Sequence, residues 1–261
     1  VLRQDRQAPS RVYQLSAPTE WHRRQWVRAL TRCIHGEESL TTVPAPTGHV
    51  TLVFTDVQSS TSLWEAVPQA MNQAMALHDA LLRRTLLQNR GYEVKTEGDA
   101  FMVAFGNTSD AIAWCLAAQC ALLHADWPAE LLQQQAAAQE PRHAALAPFF
   151  RGLRVRMGVH CGIPQVRQNP VTGRSDYFGP CVNKCARVSD SAHGGQIVLT
   201  DAALASVRED TGDNLATLPL CAPVHVSDLG THSYKGIAEP VRVFGLNAGQ
   251  LRHRAPFPAL R

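Results

Sequence analysis

Two aspartates follow predicted strands, and their side chains are of the type that binds divalent metal ions. Asp56 lies near the end of the apolar run 50–57, and Asp99 lies in a turn between two alternating segments. Pairing of these strands would bring both carboxylates to one sheet edge, where they repel unless a cation lies between them. Mg²⁺ or Mn²⁺ fits, because both prefer oxygen ligands and keep positions for phosphate oxygens. The alternative is that Asp56 caps the next helix and Asp99 is an ordinary turn residue.

A second polar group lies in the segment SDYFGPCVNKCARV, residues 175–188, which contains Asp176, Asn183 and Arg187. Asn183 and Arg187 are four residues apart, so a helix would place them on one face. An amide and a guanidinium directed together suit an anion that carries hydroxyl groups, such as a nucleotide. The alternative is an ordinary exposed polar helix face.

The chain has only three lysines, Lys95, Lys184 and Lys235, among 25 basic residues of the Lys and Arg types. Because arginine is used almost everywhere else, each lysine raises the question of whether a compact ammonium group is needed there. We assign Lys184 to a solvated surface.

Alternating and helical patterns predict the elements that would position these residues. Strands are predicted over 50–57, 153–159, 197–199, 225–229 and 241–246, with a hairpin over 92–105. Helices are predicted over 70–89, from a cap at Ser109 or Asp110, over 181–191 and from Asp201. The segment that contains Pro164, Pro170 and Gly173 is predicted to be a loop. Together these elements predict an α+β fold with a mainly antiparallel sheet flanked by helices.

Composition divides the chain into a small N-terminal part and one large domain. The predicted parts are a strand and helix over 1–35, a Pro/Gly linker over 36–48, the domain over 49–247 with a partly helical surface insertion over about 124–150, and a tail over 248–261. In the first part Trp26, Leu30 and Cys33 share one helical face. This part resembles the C-terminal end of a pleckstrin-homology domain, which implies a membrane phosphoinositide as a partner.

The overall composition is that of a globular protein with a real core, since 45% of residues are hydrophobic and 18% are charged. The net charge of +3 is too small to indicate nucleic-acid binding. Seven cysteines without zinc-knuckle spacing indicate a reducing cytosol, with a metal site at Cys181, Cys185 and His193 as a weak alternative. The first residue is Val1, so we interpret the chain as a fragment from which a targeting segment could be missing.

Five motifs together resemble the class III nucleotidyl cyclases. They are FTDVQSST, KTEGDAFMVAF, RVRMGVHCG, DYFGPCVNKCAR and KGIAEPVRVFGL, in the order of that family and over about residues 49–247. The segments FTDVQSSTSLWE and DWPAEL are most similar to trypanosomatid adenylate cyclases. The resemblance implies a ferredoxin-like cyclase fold and adenylate cyclase activity with two Mg²⁺ or Mn²⁺ ions at each site.

The resemblance also implies a role for each candidate residue. Asp56, Asp99 and the backbone carbonyl of Val57 correspond to the metal ligands. Lys95 and Asp176 correspond to the pair that reads adenine. The remaining roles are triphosphate contacts from the backbone N–H groups of Ser59, Ser60 and Thr61 and from Lys235, ribose orientation by Asn183, and stabilisation of charge on the α-phosphate by Arg187.

A physical argument supports adenine over guanine. Lysine only donates hydrogen bonds and an ionised aspartate only accepts them, which complements N1 and the 6-amino group of adenine. Guanine reverses both edges, and each unpaired group would cost about 1–3 kcal/mol. Three departures from the family pattern are Glu97 before Gly98-Asp99, Pro180-Cys181 before Val182, and Ile237 in place of a second lysine.

In this family each active site lies between two domains, and this chain carries both sets of residues. We therefore predict a symmetric homodimer that makes cyclic AMP from ATP, in the cytoplasm or at the cytoplasmic face of a membrane. The alternatives are a guanylate or relaxed-specificity cyclase, and a catalytically silent cyclase-like domain that regulates or scaffolds.

Overall fold

The computed structural model describes residues 43–140, 148–170, 173–212, 215, 223–254 and 256–261. The chain divides into two units, Val1–Leu40 and Thr41–Arg261, and the fold below belongs to the second. The strand and helix predicted for 1–35, and their resemblance to a pleckstrin-homology domain, lie outside the described residues. Within the described ranges, no helix combines the length and the apolar character that crossing a bilayer requires.

Strands and helices alternate along the described part of the second unit. In chain order they are β1 (Val50–Val57), α1 (Ser60–Ala66), α2 (Pro68–Gln88), β2 (Tyr92–Glu97), β3 (Ala100–Phe105), α3 (Thr108–Leu123), α4 (Ala129–Leu132), β4 (Val155–Gly162), β5 (Gln165–Gln168), β6 (Ser175–Phe178), α5 (Pro180–Ser191), β7 (Ile197–Thr200), α6 (Asp201–Thr211), β8 (Val224–His232), β9 (Val241–Ala248) and a 3₁₀ helix (Gly249–Arg254).

The main sheet has the strand order β2-β3-β1-β4-β7-β9-β8. Strands β4 and β7 are parallel, and every other neighbouring pair in this sheet is antiparallel. The predicted α+β fold with a mainly antiparallel sheet is therefore confirmed. The central strand β1 pairs with both β3 and β4, so its end meets residues from two other strands.

Both faces of the sheet are covered, and this decides where Asp56 lies. Val53 and Val57 of β1 belong to the large core cluster that also contains residues of α2, α3 and α6. Val50 and Leu52 belong to a second cluster, on the face that α5 covers. Because successive side chains of a strand point to opposite faces, Asp56 lies on the α5 face.

Helix α5 packs closely against the two central strands. A Cβ on Gly158 of β4 would lie 2.5 Å from the Cα of Ser189, so a glycine is needed where helix and strand meet. The hydroxyl of Ser189 donates to the carbonyl of Phe54 at 3.0 Å, and the Sγ of Cys185 lies 3.2 Å from the carbonyl of Leu52. These contacts fix the position of α5 over β1.

The local structure differs from the sequence prediction at two places. Helix α3 is capped by Asn107, whose side chain accepts from the backbone N–H of Asp110 at 2.8 Å, so the predicted cap at Ser109 or Asp110 is wrong. The predicted loop with Pro164, Pro170 and Gly173 contains a two-stranded antiparallel hairpin of β5 and β6.

The insertion predicted at the surface is more buried than expected. Its described residues are 124–140 and 148–150, and they include the short helix α4, which agrees with the partly helical prediction. However, Trp127, Leu131 and Ala137 are buried in the large core cluster. The indole N–H of Trp127 also donates to the carbonyl of Leu122 at 2.8 Å. These described residues therefore form part of the core.

Candidate active site

The structure brings the two predicted metal ligands to one place on the sheet. Asp56 is near the end of β1, and Asp99 is in the tight turn between β2 and β3, where Gly98 has a φ of 63°. A carboxylate oxygen of Asp99 accepts a hydrogen bond from the backbone N–H of Val57 at 3.1 Å. This bond holds Asp99 beside the residue that follows Asp56.

Arg156 joins this pair, although the sequence analysis did not single it out. It lies opposite Asp56 in the register of β1 and β4, and its Nε donates to Asp56 Oδ2 at 2.7 Å. The second terminal nitrogen of the guanidinium bonds to the same oxygen. A charged pair in register at the end of two apolar strands was the available signal, but it required knowledge of the strand pairing.

The electrostatics of Asp56 favour a neighbouring positive charge, which Arg156 supplies here. Burial raises the pKa of the Asp56 carboxyl, the neighbouring carboxylates Asp99 and Asp190 raise it further, and Arg156 acts in the opposite direction. A half-buried carboxylate beside other carboxylates gains most from positive charge. Oxygen ligands of this kind match Mg²⁺ or Mn²⁺.

The main chain after Asp56 directs a third oxygen towards Asp99. The backbone N–H of Gln58 donates to the carbonyl of Arg154, just before β4, at 2.9 Å. Because the peptide between Val57 and Gln58 is planar and trans, the Val57 carbonyl points away from β4. The Val57 carbonyl therefore points to the same side of β1 as the Val57 N–H, which donates to Asp99.

The residues predicted to contact a triphosphate begin helix α1. Ser59 has a φ of 62°, a left-handed conformation that is uncommon for a residue other than glycine. Helix α1 begins at Ser60, and Ser59 and Thr61 are exposed. The first N–H groups of a helix have no intrahelical partner, so these groups remain available at the acidic site. Asp56 does not cap α1, since the cap position is Ser59.

The predicted adenine-reading pair is also brought together. The Nζ of Lys95 on β2 lies 3.5 Å from Oδ2 of Asp176 on β6. It also lies 3.6 Å from a carboxylate oxygen of Glu97, which is 77% exposed. The other oxygen of Asp176 accepts from the backbone N–H of Tyr177 at 2.7 Å. The unusual Glu97 therefore pairs with Lys95.

Asn183 and Arg187 are both exposed on α5, as the four-residue spacing predicts. Arg187 lies 3.6 Å from a carboxylate oxygen of Asp190, and its side chain is 50% exposed. The carbonyl of Asp190 lies 3.5 Å from a terminal nitrogen of Arg156, so the end of α5 adjoins the acidic site of the same subunit.

Lys235 lies exposed in the loop between β8 and β9. Its neighbour Tyr234 shares a hydrogen bond of 3.1 Å with the hydroxyl of Ser191 at the end of α5. Ile237, the departure from the family pattern in this loop, packs against the apolar cluster that contains Val188. The loop is thus attached to α5 by Tyr234 and Ile237.

The alternative metal site at Cys181, Cys185 and His193 is not supported. The thiol of Cys185 is buried and bonded to main-chain carbonyls, and a ring nitrogen of His193 lies 2.8 Å from the carbonyl of Ala259. Within the described residues, no three side chains of the His, Cys, Asp and Glu types are close enough to hold a metal ion. A site built on Asp56 and Asp99 therefore needs main-chain or substrate oxygens as well.

Comparison with protein families gives one match that covers most of the chain. The model of the adenylate and guanylate cyclase catalytic domain matches residues 42–220. An adenylate cyclase of Podospora anserina is 49% identical over 166 residues, which are 64% of this chain and 8% of that protein. A receptor-type adenylate cyclase of Trypanosoma brucei brucei is 37% identical over 232 residues, which are 83% of this chain and 18% of that protein. The chain thus spans less than a fifth of the length of these curated relatives.

Solved structures agree with the fold. A structure of an adenylate cyclase from Trypanosoma brucei in its monomeric state matches with a TM-score of 0.71 and 32% identity, and the match covers 86% of this chain and 97% of that one. An adenylyl cyclase from P. aeruginosa matches with a TM-score of 0.56 and 21% identity over 77% of this chain and 94% of that one, which bears on the fold alone. The predicted cyclase fold is confirmed by these matches.

Proposed function

Because the chain belongs to the adenylate and guanylate cyclase catalytic domain family, we propose that it converts ATP to 3′,5′-cyclic AMP and pyrophosphate. The observation that carries the choice of ATP is the pair of Lys95 and Asp176, 3.5 Å apart. A donor and an acceptor in this order complement N1 and the 6-amino group of adenine. The same pair would leave polar groups unsatisfied against guanine.

The acidic pair fits divalent cations, and we assign two Mg²⁺ or Mn²⁺ ions to each site. Asp56, Asp99 and the carbonyl of Val57 would hold them, since all three supply oxygen and lie at one end of β1. When bound, such ions polarise substrate oxygens and neutralise phosphate charge. Asp56 would exchange its bond to Arg156 for the role of a metal ligand, and the Arg156 guanidinium would then be available to pair with a phosphate of the substrate.

The remaining residues position the nucleotide for an in-line reaction. The ribose 3′-oxygen attacks the α-phosphorus, the hydroxyl proton leaves to water, and pyrophosphate departs. Arg187 stabilises the charge that grows on the α-phosphate, and Asn183 holds the ribose. Lys235 and the first N–H groups of α1 contact the terminal phosphates. Positioning and electrostatics supply the rate enhancement in reactions of this class.

We propose that each site is shared between two copies of the chain. The exposed face of α5 presents Asn183 and Arg187 to solvent, where they can meet the acidic site of a second subunit. One chain carries both halves, so a symmetric dimer forms two sites. The Trypanosoma brucei relative was solved in its monomeric state, so we expect the dimer of this chain to depend on protein concentration. A phosphoinositide partner stays a prediction that rests on residues 1–35.

The direct test is incubation of the purified chain with Mn²⁺ and either ATP or GTP, followed by chromatography of the nucleotides. We expect cyclic AMP as the main product, and no product from Asp56→Ala. The exposed Asp126→Ala is a matched control that should keep activity. A preference for GTP would contradict the base assignment. No product from either nucleotide with a folded dimer would leave the scaffold alternative.

A further inference from the structure

The segment of residues 256–261 packs against the end of α5, next to the acidic site. Leu260 contacts the apolar cluster that includes Val188 and Val243. The backbone N–H of Arg261 donates to the carbonyl of Ser191 at 3.0 Å. Side-chain packing and main-chain bonding together give this segment a defined position.

A second set of contacts lies at the other end of the segment. A ring nitrogen of His193 lies 2.8 Å from the carbonyl of Ala259, and the ring of Phe257 is stacked on that of His193 with centroids 6.5 Å apart. Pro256 and Pro258 flank Phe257. Two prolines restrict the chain before it docks, so less conformational entropy is lost on docking.

Arg261 connects this segment to the loop that carries the Val57 carbonyl. Its guanidinium donates to Oε1 of Gln58 at 3.0 Å. The same oxygen accepts from the backbone N–H of Gly194 at 2.8 Å. The backbone N–H of Gln58 meanwhile donates to the carbonyl of Arg154 at 2.9 Å. Gln58 is therefore held from its main chain and by two donors at its side chain.

These bonds act on the peptide that would supply a metal ligand. The Val57 carbonyl and the Gln58 N–H belong to one planar unit, so restraint of Gln58 also restrains the direction of the carbonyl. Ser59 follows at once with a left-handed backbone, which the surrounding structure has to maintain. Outer partners that orient a ligand are known to affect metal affinity strongly.

We propose that residues 256–261 form a positioning segment for the active site. Arg261 holds Gln58, and Gln58 in turn fixes the direction of the Val57 carbonyl for a divalent cation. Neither Arg261 nor Gln58 touches the substrate. The inference rests on the proposed function, because it assigns the cation to the Asp56 and Asp99 site.

The test begins with Arg261→Ala, which removes the bond to Gln58 but keeps Leu260 and the main-chain bond to Ser191. Mn²⁺ affinity is measured without nucleotide, from the electron paramagnetic resonance signal of the free ion. We expect the dissociation constant for Mn²⁺ to rise about three- to tenfold. This is the effect expected from losing one hydrogen bond to a residue that orients a metal ligand without touching the metal. Arg252→Ala, which removes one exposed arginine from the 3₁₀ helix, should leave it unchanged.

A double-mutant cycle then tests whether the effect passes through Gln58. Gln58→Leu removes the acceptor with little change in size, and Gln58→Glu keeps an acceptor for both donors. We expect Arg261→Ala to weaken Mn²⁺ binding in the Gln58→Glu background and to add nothing in the Gln58→Leu background. Equal effects of Arg261→Ala in both backgrounds would overturn the inference.

Hydrogen exchange separates failure of this inference from failure of the proposed function. In Arg261→Ala the amides of Gly194 and of residues 58–61 should exchange faster than in the Arg252→Ala control. Unchanged Mn²⁺ affinity in Arg261→Ala would overturn the inference whatever the exchange rates are. Absence of Mn²⁺ binding by the wild-type chain would instead overturn the metal site, and the positioning segment with it, even where exchange shows that Arg261 holds the loop.

Discussion

The two oxygens of Asp176 have different partners, and this determines how the proposed base selectivity can be tested. Oδ1 accepts from the backbone N–H of Tyr177 at 2.7 Å, while Oδ2 faces Lys95 at 3.5 Å. Oδ1 thus orients the side chain, and Oδ2 is the atom that the proposed function directs to a base. A substitution that keeps the first bond and changes the second atom from acceptor to donor should alter recognition without displacing β6.

The double variant Lys95→Gln/Asp176→Asn provides such a change. The introduced asparagine keeps a carbonyl oxygen for Tyr177 and offers an amide donor, while the introduced glutamine offers an acceptor without adding charge beside Glu97. We expect the ratio of kcat/KM for GTP to that for ATP to rise by about 10- to 100-fold, since each mismatched polar group costs about 1–3 kcal/mol. Steady-state assays with both nucleotides measure the ratio. An unchanged ratio would show that the base is read elsewhere.

Arg187→Ala should lower kcat much more than it changes KM, because its charge is needed when charge develops on the α-phosphate. The loss is expected to be about 2–4 kcal/mol of barrier, by analogy with other charge-stabilising donors. Arg252→Ala, which removes another exposed arginine, is the control and should keep kcat. If Arg187→Ala raises KM and leaves kcat intact, the arginine only binds substrate.

At this scale the sequence predicted polar residues that the structure brings together in pairs, but it missed contacts that depend on strand register. Asp56, Asp99, Lys95 and Asp176 were recognisable from local motifs. The bond between Asp56 and Arg156 was not, because it requires knowing that these residues are opposite one another in β1 and β4. A motif gives neighbours along the chain, whereas this partner is 100 residues away.

At the scale of elements, the close packing of α5 on β4 depends on Gly158. Gly158→Ala would place a Cβ 2.5 Å from backbone atoms of Ser189, so helix or strand must move. We expect a loss of about 1–3 kcal/mol in the free energy of unfolding, and a lower kcat because α5 carries Asn183 and Arg187. Urea unfolding and nucleotide assays measure both effects.

Gly106→Ala is the control for that substitution, because a Cβ there would have no atom within 4 Å and its φ is not in the left-handed region. It should leave both the stability and kcat close to wild type. If the two alanine variants have the same free energy of unfolding and the same kcat, α5 has room to adjust and its close packing on β4 is not required.

His160 on β4 predicts how stability depends on pH. Burial lowers the pKa of His160 from 6.5 to about 4. Its ring nitrogen lies 2.8 Å from the hydroxyl of Thr200, the cap of α6. As the pH falls, the unfolded chain takes up the proton before the folded chain does. The stabilisation that neutral His160 contributes is therefore complete above pH 6.5 and is lost as the pH falls towards 4. The free energy of unfolding changes by about 3 kcal/mol over this range.

His160→Gln should therefore flatten the dependence of the free energy of unfolding between pH 6.5 and 4. Glutamine keeps a polar partner for Thr200 but does not titrate in this range. The exposed His225→Gln should retain the wild-type profile. Urea unfolding at a series of pH values tests both variants. Parallel profiles for wild type and His160→Gln would show that another group is responsible.

The elements that the sequence predicted are those with strong apolar patterns. Strand β1 and the hairpin of β2 and β3 alternate or are continuously apolar, because they lie between two packed layers. The hairpin of β5 and β6 was missed because all four residues of β5 are exposed, so no alternation marks it. The cap of α3 was misplaced because Asn107, Ser109 and Asp110 are all capping types, and only geometry distinguishes them.

At the scale of the whole molecule, the sequence carries both sets of residues that the proposed site needs, but it does not give their arrangement. The described contacts bring Asp56 and Asp99 together, and separately Lys95 and Asp176. Arg187 instead points outward from α5 and is half exposed. If the proposed site is shared, a single chain in this conformation holds both sets of residues without joining them. The motifs were enough to predict the candidate residues, whereas the assembly needs an experiment with two chains.

Mixing two inactive variants tests the shared site. Asp56→Ala removes the acidic half and Arg187→Ala removes the other half. In a mixed dimer one site contains both substitutions and the other contains neither. Random pairing should therefore restore about a quarter of wild-type activity.

Mixing Asp56→Ala with Asp99→Ala is the control. Both defects lie in the acidic half, so every site keeps one and no activity should return. Native mass spectrometry confirms that mixed dimers form. Rescue in both mixtures, or in neither, would contradict a site built from the acids of one subunit and the α5 face of the other.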